Sequence, residues 1–186
     1  MDQWAAIILP GRGYGPIGAT IRIPGLVLES LGADVFVIEY PTAVSGQVPL
    51  AEILQTSREQ IRSIVSATSP QRVTFIAKSL GCSVLLSQTP DVCGSALVEA
   101  IWLTPLFKGA AARTGAINLG WRSLLVAGDA DPSHNRDGFE MVRHELGAES
   151  LIVPGADHSL EVPGDPDATL AALRDLLDAV RHFAAP

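Results

Sequence analysis

A three-layer α/β sandwich on a six-strand, mainly parallel sheet is the fold class this sequence predicts, and three patterns predict it. Short apolar or β-branched runs alternate with helical segments along the whole chain. The runs lack the apolar–polar alternation of a half-exposed sheet, as expected of strands covered on both faces. The helical segments repeat apolar residues every three or four positions, the period of a helix buried along one side.

Strands are predicted at Trp4–Leu9, Asp34–Glu39, Val73–Ala77, Glu99–Leu103, Ser123–Ala127 and Leu151–Val153. The first ends at Pro10 and enters a Gly-rich turn, Gly11-Arg-Gly-Tyr-Gly15. A helix running on from Gly18 is expected to break at Pro24, leaving a shorter one that starts there and covers Gly25–Leu31. After the second strand, Leu50, Ile53, Leu54, Ile61, Ile64 and Val65 recur at helical spacing. The third strand leads into the turn Ala77-Lys-Ser-Leu-Gly81, with a helix starting at Leu80. Phe139, Val142 and Leu146 mark another helix, and Gly147 is placed to end it. The last helix has Asp165 as its cap, Pro166 in its first turn, and Leu170, Leu173, Leu177 and Val180 on one face. No linker, repeat or low-complexity tract interrupts the pattern, so residues 1–186 read as a single domain.

Bulk composition narrows the function classes. Hydrophobic residues are 47% and charged ones 18%, a balance that excludes a disordered chain. No apolar run reaches membrane-spanning length and the first residues carry no basic leader, so neither a membrane partner nor a signal peptide is expected. Cys82 and Cys93 do not make a disulfide framework, and a cytoplasmic location is the expectation. The net charge of −7 gathers at the end: from Asp129 onward 12 acidic residues face 4 basic ones. Such a surface repels polyanions and argues against nucleic acid as a partner.

Candidate chemistry follows from what lies just beyond each strand, because open parallel sheets bind ligands at their carboxyl edge. Ser79 stands in a small-x-Ser-x-small turn between a strand and a helix, with Ala77 and Gly81 as the small residues. A serine raised on so sharp a turn needs small neighbours, and the helix after it directs its positive end toward developing negative charge. The bland reading of the same pentad is a serine capping a helix. The fifth strand leads into Gly128-Asp-Ala-Asp131, the sixth into Gly155-Ala-Asp-His-Ser159. A Ser, an Asp and a His therefore occur in that order on one sheet edge.

These pieces resemble the α/β-hydrolase superfamily over nearly the whole chain, and among its members the small capless, dienelactone-hydrolase-like ones. Those commonly carry Cys at the nucleophile position, whereas this chain has Ser79. The connection from Thr104 to Trp121, where larger relatives insert a cap, is short. The resemblance implies a serine hydrolase that cleaves an ester or thioester of a small-molecule acyl substrate through an acyl-serine intermediate. No cofactor is expected, and no metal, since no His/Cys pair stands at ligand spacing. It implies Ser79 as nucleophile, His158 as general base and Asp131 as the acid orienting it. It also implies an oxyanion hole from the backbone N–H of Leu80 and of Arg12 or Gly13. Asp129 competes with Asp131 for the acid role, and Asp157 reads as a brace for the loop. Trp102, Leu106 and Leu160, with Phe107 and Val162, flank the site as acyl-pocket candidates or plain core. Lys78 reads as packing or rim, His134 as a loop residue, and His144 and His182 as surface residues.

A second reading competes. Gly13-Tyr-Gly-Pro-Ile-Gly18 matches a dinucleotide fingerprint, and Glu39 lies near where a ribose-binding acid belongs. The break expected at Pro24 counts against NAD or FAD binding. A third reading is a catalytically silent hydrolase fold that only binds. Oligomeric state is not legible from the sequence.

Overall fold

In the computed structural model, residues 3–12, 18–41 and 48–185 are described. Their six strands are β1 (Trp4–Leu9), β2 (Asp34–Val37), β3 (Arg72–Lys78), β4 (Leu97–Leu103), β5 (Arg122–Gly128) and β6 (Glu149–Val153). The helices are α1 (Ala19–Ser30), α2 (Leu50–Thr68), α3 (Leu80–Leu86), α4 (Ala110–Leu119), α5 (Arg136–Leu146) and α6 (Pro166–Ala184). The sheet runs β2-β1-β3-β4-β5-β6 with every pairing parallel. The chain steps one way from β1 to β2, then turns back past β1 to β3. The switch point, where such sheets open a crevice, therefore lies between the carboxyl ends of β1 and β3.

Successive side chains on each strand enter opposite cores. Ile7, Leu9, Phe75, Ala77 and Trp102 join residues of α2, α3, α4 and α5 on one face. Ala6, Ile8, Ile76, Ile101 and Leu103 join α1 and α6 on the other. Right-handed crossovers account for this division, because only the β1-to-β2 connection runs against the direction of the others. Both faces being buried is the reason the strands read as continuous apolar runs.

Two boundaries differ from expectation. Pro24 does not break α1, which begins at Ala19 and carries the proline inside it. Proline leaves the Thr20 carbonyl without its helical donor. The helix persists because Ile21, Pro24, Gly25, Val27 and Leu28 are all buried. A Cβ on Gly25 would stand 3.1 Å from Ile8 Cδ1, so α1 packs closely on the sheet at the Pro-Gly pair. Strand β2 ends at Val37 instead of Glu39. Gln60 takes both backbone groups of Glu39, accepting from its N–H at 3.0 Å and donating to its carbonyl at 2.7 Å.

Elsewhere the local signals hold. Asp165 caps α6 by accepting from the Ala168 N–H at 2.9 Å, and Gly147 ends α5 at φ 58°. The connection from β4 to β5 contains only α4, so it carries no cap domain. Among the described residues no helix is long and apolar enough to cross a membrane. The opposite sheet edge is held by Glu99, 2% exposed, which accepts from Arg72, Arg122 and Thr74. A buried carboxylate with that many donors is a structural anchor.

Candidate active site

Ser79 follows the last residue of β3 and precedes the first of α3, at φ 50° and ψ −105°. A non-glycine residue at positive φ is held there by its surroundings. Its N–H donates to the Leu103 carbonyl at 3.1 Å, and its own carbonyl accepts from the Cys82 N–H at 3.0 Å. The hydroxyl makes no capping bond to α3, which sets aside the capping reading of this serine. Gly81 is required by the same turn: a Cβ there would run into the Leu9 carbonyl at the end of β1. The small residue thus lets α3 pass directly over the switch point.

Ser79 Oγ lies 2.9 Å from His158 Nε2, and His158 Nδ1 lies 2.7 Å from Asp131 Oδ2. The Asp131 side chain is 2% exposed and that of His158 36%, so the carboxylate is enclosed while the imidazole has one edge in solvent. The other oxygen of Asp131 accepts from the Ser133 N–H at 2.7 Å. A carboxylate so placed accepts a hydrogen bond from Nδ1–H, leaving Nε2 free to accept from the serine.

The two loops that carry these residues are locked together. The Ala130 N–H donates to the Ala156 carbonyl at 3.1 Å. Gly128 is the point of closest approach, since a Cβ there would strike the Ala156 carbonyl. Asp129, the rival acid, turns away from the ring: it is exposed, and its Oδ1 accepts from the Gly155 N–H at 2.6 Å. Asp157 braces the histidine loop as read, accepting from the N–H groups of Ser159 at 2.7 Å and Glu161 at 3.2 Å. Thr20 on α1 ties the loop to the helix layer by donating to the Ser159 carbonyl at 2.6 Å.

The remaining candidates divide. The Leu80 N–H opens α3 and so has no acceptor within that helix. Arg12 is exposed at the end of the β1 turn, and Gly13 lies outside the described residues, as does Gly15 of the dinucleotide fingerprint. Trp102 is a correction: it is 1% exposed, packs on Phe107, and its indole donates to Ser123 Oγ at 3.1 Å. Leu160, at φ 60°, is likewise 1% exposed. Both are core: Trp102 turns into the layer with α2–α5, and Leu160, on the loop after β6, into the layer with α1 and α6. Leu106 is 37% exposed, on the connection after β4. His134 sets its ring edge-on to Phe139, and His144 and His182 are exposed.

Lys78 departs furthest from its sequence reading. It is 1% exposed, and its amine donates to Thr104 Oγ1 at 3.1 Å and to the His158 carbonyl at 2.6 Å. Burial lowers this amine to about 8, against the opposing pull of Cys82, Asp131 and Asp157. Burial also pushes the Cys82 thiol, on the first turn of α3, up to about 12. The one sequence signal for Lys78 was its rarity, since Lys108 is the only other lysine.

No protein-family model matches this sequence, and none of the curated proteins does. Solved structures match its shape. An α/β serine hydrolase homologue from Coxiella burnetii superposes with a TM-score of 0.75 at 14% identity, over 100% of this chain and 86% of its own. An α/β serine hydrolase without lid from Xanthomonas campestris gives 0.66 at 15% identity, over 100% and 85%. Esterase 2 of Thermogutta terrifontis, in a form phosphorylated by paraoxon, gives 0.65 at 15%, over 98% and 82%. At these identities the likeness is one of fold.

Proposed function

We propose that this chain, whose fold is that of the capless α/β hydrolases, is a serine hydrolase acting on ester or thioester bonds. One observation carries the reading: a hydroxyl, an imidazole and an enclosed carboxylate, separated by up to 79 residues, stand in one hydrogen-bonded line of 2.9 and 2.7 Å. Neutral packing does not require a serine at positive φ to spend its hydroxyl on a half-exposed histidine, and nucleophilic catalysis does.

The chemistry follows from the line. His158 Nε2 takes the hydroxyl proton as Ser79 Oγ attacks the carbonyl carbon, and Asp131 offsets the imidazolium charge. The carbonyl π electrons move to oxygen, where the Leu80 N–H and an N–H of the Arg12–Gly13 turn donate to the oxyanion. Collapse expels the alcohol or thiol, which leaves with the proton from His158, and an acyl-serine remains. Water attacks that ester with the same base, releasing the acid and restoring Ser79. The open carboxyl edge favours small or protruding acyl groups over long chains in a tunnel.

The test is labelling by a fluorophosphonate probe together with a p-nitrophenyl ester panel of graded acyl length. Wild type should label and turn over the short esters, and Ser79→Ala should do neither. Labelling that survives Ser79→Ala, or no labelling of the folded wild type, would overturn the reading. One observation favours the competing cofactor reading: α1 runs unbroken from Gly18 past Pro24, as a dinucleotide fingerprint demands. Nicotinamide or flavin absorbance in the purified protein decides in its favour.

A further inference from the structure

Lys78 ends β3 immediately before the proposed nucleophile, yet its amine serves a different part of the chain. A lysine enclosed to 1% exposure is rare unless its charge is engaged. This one reaches the ends of two other chain segments, donating to Thr104 Oγ1 after β4 and to the His158 carbonyl after β6. Thr104 is itself constrained, at φ 49° with its N–H on the Val126 carbonyl at 2.8 Å. The loop holding His158 has positive-φ residues on either side of the histidine, Gly155 at 71° and Leu160 at 60°. A leucine held at positive φ keeps that conformation only while its surroundings enforce it.

We propose that Lys78 is a positioning residue for His158: its ammonium clamps the His158 carbonyl to the elbow strand and so keeps the imidazole on Ser79 Oγ. The inference rests on the serine-hydrolase reading above and deepens it. Lys78 is not a catalytic base here, because His158 Nε2 is the group on the serine oxygen. Its action is on the backbone of the loop that carries the base. A charge-assisted bond is about twice as strong as a neutral one, so the clamp weakens when the amine loses its proton. A displacement on the order of 1 Å in such a site costs roughly a hundredfold in rate.

Among the described residues, charged and titratable groups act on the amine from Cys82 on α3, Asp131 on the loop after β5 and Asp157 on the loop after β6. With the amine lowered to about 8 and the thiol raised to about 12, loss of the Lys78 proton comes first on the alkaline side. Rates should therefore fall above about pH 8, a limb that a triad alone does not produce.

The experiment measures the fluorophosphonate labelling rate, corrected for probe hydrolysis, from pH 6 to 10 for wild type, Ser79→Ala and Lys78→Met. Kinetics on p-nitrophenyl acetate at pH 7 accompany it. Wild type should lose five- to tenfold in rate across about pH 8. Lys78→Met should be thirty- to a hundredfold slower at pH 7 through kcat, with KM within threefold, and should show no alkaline limb. If Lys78→Met does not fold, the wild-type profile decides alone, and a flat rate to pH 9.5 refutes the clamp. Labelling that depends on Ser79 but is within threefold in Lys78→Met, with an unchanged pH profile, refutes the clamp and leaves the hydrolase reading intact. No Ser79-dependent labelling at any pH removes both.

Discussion

Replacing Asp131 by asparagine tests the proposed relay at its least replaceable point. Both carboxylate oxygens are committed as acceptors, one to His158 Nδ1 at 2.7 Å and the other to the Ser133 N–H at 2.7 Å. An amide has a single acceptor oxygen, so Asp131→Asn cannot serve both. If the oxygen keeps Ser133, the amide NH2 faces Nδ1 and the ring must carry its proton on Nε2, where it can no longer accept from Ser79. If the amide flips, the active tautomer is kept but two donors meet at Ser133, in an environment where the side chain is 2% exposed. An unsatisfied buried donor costs about 1–3 kcal/mol.

The variant also loses the negative charge that offsets the imidazolium in the transition state. A contact ion pair at an effective dielectric near 20 is worth about 4 kcal/mol. Together the two effects come to roughly 5–7 kcal/mol, or about 10^4- to 10^5-fold in kcat. KM should change little, because neither group binds substrate in the ground state. The control is Asp129→Asn: among the described residues its carboxylate accepts from the Gly155 N–H, and an amide oxygen can still accept that bond. That variant should keep activity within threefold. Steady-state kinetics on p-nitrophenyl acetate for the three proteins, with thermal melts to verify folding, give the answer. An Asp131→Asn enzyme within tenfold of wild type, or an equal loss in Asp129→Asn, would show that the line of bonds is not the catalytic relay.

Two further outcomes follow from close approaches and burial. Gly81→Ala places a Cβ against the Leu9 carbonyl, so α3 must lift from β1 and carry Ser79 with it; we expect a loss of about 1–3 kcal/mol in urea unfolding and roughly a hundredfold slower fluorophosphonate labelling. Lys78→Met should change how stability depends on pH. With its amine lowered from 10.5 to about 8, the folded chain binds fewer protons than the unfolded one between those values, so Lys78 makes stability rise with pH across that window. The gap between wild type and variant should shift by about 2–3 kcal/mol toward wild type from pH 7.5 to 10.5. Cys82 and Cys93, raised from 9.0 to about 12, act with the opposite sign from pH 9 upward in both proteins, so the comparison largely cancels them. A gap that does not move with pH refutes the burial of a charged amine.

Most of the architecture was legible because parallel strands and amphipathic helices advertise themselves through composition and period. All six strands lie where the apolar runs stand, and Asp165, Gly147 and Gly81 act at the positions their local chemistry suggested. Pro24 misled because helix propensity is a local preference, and about 3 kcal/mol of local cost is overridden when five residues of α1 pack against the sheet and its neighbours. Trp102 and Leu160 misled for the converse reason. Nearness to a strand end says a residue is close to the site, while the direction of its side chain is set by pleat parity and loop twist. Asp131 and Asp129 differ by two positions, and only the turn between them decides which carboxylate meets the ring.

Lys78 shows the deeper limit. Lys78 and Ser79 are neighbours whose side chains go to different partners, and from the sequence Lys78 reads as packing or rim. Separation along one strand says nothing about what the loops beyond other strands bring to the far end of a long side chain. The His158 carbonyl comes from 80 residues away, and the amine finds it because β3 lies at the sheet's centre, where the segments after β4 and β6 fold back over it. A long flexible cation placed beside a nucleophile at the middle of a parallel sheet can therefore reach loops that are remote in sequence. Its function depends on which backbone groups those loops turn inward, and that is a property of the assembled edge alone.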